Sequence, residues 1–364
     1  MKKVALSYAA LFAYAASAHA QSSVTLYGVL DDGISYVSNE GGHSAFLLAD
    51  TISQGNRVGL KGVEDLGGGL KTLFTLEMFP NLNTGALRGP TGTEFSRGAY
   101  VGLAQDDYGQ VTIGRQYDFM TYALVQYTGG LYSGILDVHP GDIDRGSGQW
   151  LNNSVQFQSV TFSGAKFGAM YSFGENSTTT TNYGRAFSLL GTYAHGPFSA
   201  SAAMTDINGL TFSPYTGLGL ISIFGQDFSA TSATSIVLKN LRTVGFGTSY
   251  QFGRLKLAGV YSNTRLDSGA SGSETSQSFE GDAAFFFTPS LILSGGYSYS
   301  KLQSSKWNKF DAVLDYLLSK RTDVYFSGHY LKASGPGTVA VYTTMTPSSD
   351  NKQAVVRIGM RHRF

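Results

Sequence analysis

The chain closes on AVVRIGMRHRF, Ala354 to Phe364. Ala354, Val356, Ile358, Met360 and Phe364 share one parity, while Arg357, Arg361 and Arg363 share the other. A period of two belongs to a β-strand whose faces meet different surroundings. An apolar face backed by a basic one suits the wall of a membrane barrel, with lipid outside and water inside. A soluble antiparallel strand with one face on a core reads the same way, so the choice rests on the rest of the chain.

At the other end, Met1, Lys2 and Lys3 precede the apolar run Val4 to Ala16 and the small-residue stretch Ser17-Ala18-His19-Ala20. This is the order of a secretory signal with an A-x-A cleavage site, and the run is too short to span a membrane as a helix. Residues 1–20 are therefore expected to be removed, leaving a mature chain that starts at Gln21 and is exported across a bacterial inner membrane. Export usually favours disulfides, yet the chain has no cysteine, so stability must come from hydrogen bonds and packing. The 46 glycines, 22 tyrosines and 24 phenylalanines accompany a mean hydropathy near zero, as expected where lipid-facing and lumen-facing residues cancel. Removing Lys2 and Lys3 from the 26 lysines and arginines leaves one base fewer than the 25 acids, a balance that argues against nucleic acid as a partner.

Period-two segments run from Ser23 to the C-terminus as one domain, residues 21–364, and number sixteen. In the first, Val24, Leu26, Gly28 and Leu30 oppose Thr25, Tyr27 and Asp31; in the second, Val58, Leu60 and Gly62 oppose Arg57 and Lys61. Segments near Arg97 to Leu103 and Gly109 to Arg115 have poor parity. Seven connections are short, near Gly67, Asp106, Gly164, Gly196, Gly253, Pro289 and Ser319. Eight others are polar and mostly long: Ser38 to Gly55, Phe79 to Ser96, Gln116 to Asn153, Gly174 to Arg185, Asp206 to Leu241, Thr264 to Gln277, the short Leu302 to Ser305, and Ala333 to Gln353. Sorting of turns and loops onto opposite rims predicts an all-β fold, a transmembrane antiparallel β-barrel of 16 strands with short periplasmic turns and long external loops. Lipid requires the closed sheet, because it offers no partner to an unpaired N–H or C=O. Sixteen strands leave a lumen too wide for side chains to fill.

The segments SVTLYGVLDDG (Ser23 to Gly33), RVGLKGVEDLGGGLKTLFTLE (Arg57 to Glu77), RGAYVGLAQDDYGQVTIGRQYD (Arg97 to Asp118) and RIGMRHRF (Arg357 to Phe364) resemble the general porins of Gram-negative outer membranes, of the betaproteobacterial type. The resemblance implies a homotrimer in outer-membrane lipid, with the third external loop, here Gln116 to Asn153, folded into the lumen. It implies a passive diffusion channel for small hydrophilic solutes and ions, with no cofactor. Two departures leave selectivity open: the acidic Pro-x-Phe-Gly-Gly segment of that loop is absent, and Trp150 and Gln156 stand where related porins often place arginine.

A cation facing lipid at midplane costs about 2–4 kcal/mol, so strand-borne basic residues should face water. Arg57, Lys61, Arg97 and Arg115 are the candidates for a basic wall at the constriction, where clustered cations favour anions. Asp118, Asp137, Asp142 and Asp144 of the third loop are candidates for the opposing acidic side, which would set a transverse field. Arg357, Arg361 and Arg363 should point inward, the last two near the periplasmic mouth as a vestibule. Asp32 falls on the apolar parity and is expected at a subunit interface. Phe326, Tyr330, Tyr297 and Tyr299 are expected on the outer surface, where aromatic belts lie.

Enzyme chemistry has no carrier in the pattern. The six histidines show no H-E-x-x-H spacing and have no cysteine to complete a zinc set, and no G-x-S-x-G elbow occurs. No catalytic or metal-ligating residue is therefore assigned, although His329 on an inward face is noted. A substrate-selective channel, or a surface adhesin anchored by a barrel, are the alternative readings.

Overall fold

The computed structural model describes residues 22–174, 183–229 and 235–364; the expected signal segment lies outside them. The first strands are β1 Ser23–Glu40, β2 His43–Leu48, β3 Arg57–Gly67, β4 Leu70–Met78, β5 Gly98–Gln105, β6 Gly109–Tyr117, β7 Trp150–Ser159, β8 Ala165–Ser172 and β9 Ala186–His195. After β10 Phe198–Phe212 comes a small loop hairpin, β11 Ser222–Ile223 with β12 Gln226–Asp227. The wall resumes with β13 Ile236–Phe252, β14 Leu255–Asp267, β15 Ser273–Thr288, β16 Leu291–Leu302, β17 Ser305–Leu317, β18 Thr322–Ser334 and β19 Lys352–Arg363. Each wall strand pairs antiparallel with its sequence neighbour, and β19 also pairs with β1, so a barrel of 16 strands closes. At the seam Gly28 and Phe364 exchange N–H···O bonds of 3.1 Å in both directions.

Sixteen wall strands arise from seventeen segments because β2 and β3 are halves of one. β2 pairs the upper part of β1, Ile34 opposite Leu48, and β3 the lower part, Val29 opposite Arg57. The first loop, expected over Ser38 to Gly55, is thus a tight hairpin followed by an excursion of residues 49–56 into the lumen. Asp31 holds that excursion: it is fully buried on the inward face and its carboxylate accepts the Ser53 N–H at 2.8 Å and the Tyr325 hydroxyl at 2.6 Å. The sixth loop is also shorter than expected, since β14 and β15 pair as far as Asp267 and Ser273. All seven short turns lie where expected; at the first, Gly67, Gly68 and Gly69 carry φ of 87°, 62° and 78°, a conformation open to glycine without steric cost.

The outward parity is apolar, as Leu26, Ile34, Phe326, Ile358 and Met360 illustrate, all more than half exposed. Inward positions carry many small hydroxyl residues that bond across strands, Ser188 to Thr205 at 2.7 Å and Ser278 to Ser300 at 2.8 Å, so the wall hydrates without narrowing. The lumen nonetheless holds two apolar clusters. In one, Leu218, Leu220, Ile223 and Phe228 of the fifth loop and Ala340, Tyr342 and Met345 of the eighth pack on inward Leu238, Leu302, Trp307, Leu331 and Val355. In the other, Phe119, Met120, Leu124 and Tyr127 of the third loop pack on Leu151, Met170, Leu190 and Ile207. Burying each such side chain contributes about 1.5–3 kcal/mol, which holds these loops inside the barrel.

Candidate functional site: the lumen constriction

The third loop leaves the wall after Tyr117, forms a helix over Met120–Leu124, and follows the inner wall to β17 before returning at Trp150. Glycines on the inward face make room for it. Gly168 faces the Phe119 ring, Gly245 the side chains of Met120 and Leu124, and Gly247 the Tyr127 ring; a Cβ at any of them would collide. With the loop on that side, an open cavity of about 1490 Å³ remains against β1 and β3–β7, reaching from residues 343–345 of the eighth loop to Arg361 and Arg363 near the periplasmic end.

A ladder of cations, carboxylates and rings forms the wall side. The Lys61 ammonium lies 5.2 Å from the Tyr27 ring centroid. Tyr27 donates its hydroxyl to Glu77 at 2.8 Å, and Arg97 Nε donates to the other Glu77 oxygen at 2.8 Å. Arg97 Nη2 donates to the Tyr117 hydroxyl at 2.9 Å, and its guanidinium lies 4.9 Å from the Phe79 ring and 5.4 Å from that of Trp150. Arg57 stands beside Arg97 and Tyr117, with Nε donating to the Gly55 carbonyl at 3.3 Å. Arg88 pairs with buried Asp50, and Lys166 donates to Gln158 at 2.8 Å.

Of the expected basic wall, Arg57 and Arg97 line the cavity, and Lys61 and Arg115 do not. Lys61 lies on the inward parity, but lower. Arg115 is on the outward parity with Val111 and Ile113, opposite Ala99 in an unbroken pairing with β5; it bonds the Ser96 carbonyl at 2.8 Å and the Asn152 side chain. Trp150 and Gln156 do line the cavity, along with Arg88 and Lys166, which sequence reasoning passed over. Lys166 was findable, since it opposes the outward Phe167, whereas Arg88 lies in a loop with no period to orient it.

The third-loop acids are mostly turned away from the water. Asp118 is buried at the loop's neck, accepting from Arg145 Nε at 3.1 Å. Asp137 is buried against His329 Nδ1 at 3.1 Å, and Asp142 accepts the Ser147 N–H at 3.0 Å. Only Asp144 of the four lines the cavity. Its carboxylate accepts from His139 Nδ1 at 2.5 Å and from the Ser262 hydroxyl at 2.5 Å, while His139 Nε2 meets Glu280 of β15 at 2.9 Å. Burial alone would depress His139; the flanking Asp144 and Glu280 carboxylates outweigh it and hold the imidazolium up to about 10. Burial likewise works against ionised Asp144, but His139 holds it down to about 2. Asp142 is pushed up to about 7 by burial and by Asp144.

At the lower end Arg361 bonds Asp323 at 3.1 Å and Arg363 bonds the same carboxylate at 2.8 Å. Arg357 is buried instead, donating to the Tyr325 hydroxyl at 2.9 Å and to Ser35 at 3.0 Å, so it braces the first-loop excursion. Asp32 is half-buried on the outward parity and caps the Gly33 N–H at 2.7 Å. Phe326, Tyr330 and Tyr297 are exposed on the outer surface and Tyr299 is half-buried there.

A family model for Gram-negative porins matches residues 5–336. Over the full length of both chains, the sequence is 30% identical to outer membrane porin protein 32 of Delftia acidovorans and 28% identical to an outer membrane porin protein of Bordetella pertussis. Among solved structures, an anion-selective porin from Comamonas acidovorans superposes with a TM-score of 0.78 at 26% identity, covering 94% of this chain and 100% of that one. OmpT of Vibrio cholerae shares the fold, with a TM-score of 0.67 at 13% identity over 94% of this chain and 98% of its own.

Proposed function

The chain belongs to the Gram-negative porin family, and from that premise we propose that its passive outer-membrane channel favours anions, with Arg57 and Lys166 setting the field. The observation that carries this is the charge around the cavity: among the described residues, six lysines and arginines line it against four carboxylates. Those carboxylates are already engaged, Asp50 by Arg88, Glu77 by Arg97, and Asp144 and Glu280 by His139. Among the described residues none pairs with Arg57 or Lys166, so their charge is left to the passing solute. Buried Asp118 and Asp137 contribute little opposing field, and the similarity to an anion-selective relative points the same way.

The reversal potential of the refolded chain from Gln21 to Phe364 in a planar bilayer under a KCl gradient tests the proposal. The expected sign is anion-selective, and Arg57→Glu with Lys166→Glu should shift it towards cations. A cation-selective wild-type channel would overturn the assignment. The working particle we propose is a homotrimer, matured by cleavage after Ala20, that performs no covalent chemistry. Asp32 supports the oligomer, since a carboxylate on the lipid parity gains from a neighbouring subunit. Light scattering in detergent and N-terminal sequencing test these two statements.

A further inference from the structure

Aromatic rings are interleaved with the cations of the basic wall. Tyr27, Phe79, Tyr100, Tyr117 and Trp150 line it, and Tyr122, 45% exposed, enters the same cavity from the third-loop helix, close to Tyr100 and Tyr117. Arg97 engages Glu77 through Nε, the Tyr117 hydroxyl through Nη2 and three ring faces, so it fixes the rings and neutralises Glu77. Arg57, between Tyr27 and Tyr117, uses only Nε within the described residues, and its two terminal nitrogens remain for the lumen. A planar guanidinium with free donors matches a carboxylate through two parallel N–H···O bonds, and adjacent ring faces add stacking that an aliphatic acid cannot use.

Resting on the reading of the cavity as an anion-favouring channel, we propose that this corner is a binding subsite for small aromatic carboxylates. Arg57 holds the carboxylate, and the aromatic ring lies between Tyr122 of the loop and the Tyr117 and Trp150 rings of the wall. Acetate shares only the charge contact, and a neutral arene only the ring contact. Binding is therefore selective for molecules that carry both, and it makes the anion pathway saturable.

The test uses the refolded chain from Gln21 to Phe364 in planar bilayers, measuring chloride current as benzoate, acetate or benzyl alcohol is added. Benzoate should half-block at a concentration roughly tenfold or more below that of acetate, and benzyl alcohol should leave the current unchanged there. Arg57→Gln should raise the benzoate value about tenfold, and Arg57→Lys, which keeps charge but loses the fork, should fall between. Tyr122→Ala should raise the benzoate value about threefold while leaving that of acetate in place, a split that a general widening of the pore would not give. Heat-dependent gel mobility checks that each variant is folded; should Arg57→Gln not fold, the benzoate-to-acetate ratio and the Tyr122 variant decide. Equal block by benzoate and acetate, or a Tyr122→Ala effect equal on both, overturns the subsite. An anion-selective potential without benzoate block leaves the channel reading standing and removes only this proposal, whereas folded protein without conductance removes both.

Discussion

His139 is bracketed by carboxylates from two elements, Asp144 of its own loop and Glu280 of β15, so both ring nitrogens donate only when it is cationic. Because its pKa is raised from 6.5 to about 10, its contribution to the loop's attachment is complete below pH 6.5 and is lost as pH rises through about 10. Asp144, lowered from 3.8 to about 2, contributes fully above 3.8 and loses this as pH falls through about 2. Asp142, raised from 3.8 to about 7, contributes fully below 3.8 and loses this as pH rises through about 7. Attachment should therefore be tightest near pH 4, weaken towards neutrality through Asp142 and on to about pH 10 through His139, and single-channel current noise should rise above pH 10. His139→Ala strands two buried carboxylates, a change that costs about 3–5 kcal/mol, so it should show the alkaline noise already at pH 7. Equal noise in variant and wild type at pH 7 would contradict this. None of this could be read from the local sequence, because Glu280 is 141 positions from His139 and neither residue stands in a motif.

The third loop keeps its place because the wall beneath it lacks side chains where its rings rest. Gly245 and Gly247 alternate with outward Phe246 on β13, so both point inward, beneath Met120, Leu124 and Tyr127. A Gly247→Leu variant should lift the loop away from β13, changing unitary conductance and exposing the loop to protease; unchanged conductance with a protected loop would count against the packing account. What fills the space above these glycines was not legible in the sequence, since a glycine reports only that something approaches closely. Strand existence was legible in every wall element except β2, His43–Leu48, which lay inside the expected first loop. Orientation failed at β6, where Arg115 keeps the outward parity of Val111 and Ile113, while the shift between Gly114 and Gln116 lets consecutive Gln116 and Tyr117 both line the cavity. The first loop was misread as external for a related reason: His43–Leu48 is strand, and the inward turn after it depends on Asp31 and Tyr325.

At the scale of the barrel, no disulfide is available and closure depends on the seam between β1 and β19. Deleting residues 357–364 removes the register from Val29–Arg363 through Ser35–Arg357, together with the Gly28–Phe364 bonds, and leaves two open edges that lipid cannot satisfy. The truncated chain should fail to give the heat-modifiable folded band after refolding into detergent micelles, and a normal band would refute this view of closure. Reducing agent should leave the folded band of the intact chain unchanged, because there is no cysteine to reduce.

The amino-acid sequence by itself determined the closed antiparallel wall, the rim on which turns and loops lie, and the separation of lipid-facing from water-facing residues. Those properties follow from local periodicity and from the demand that every backbone group in lipid be paired. Only the tertiary structure decided which charges meet the passing solute. Arg57 and Lys166 reach the cavity half-buried, Arg97, Arg361 and Asp144 border it buried in ion pairs, and Arg357, Asp118 and Asp137 are buried against partners of their own. A charge's exposure inside a barrel depends on what the loops bring against it. That is set by the glycine footholds, the apolar clusters and the ion pairs that join distant strands.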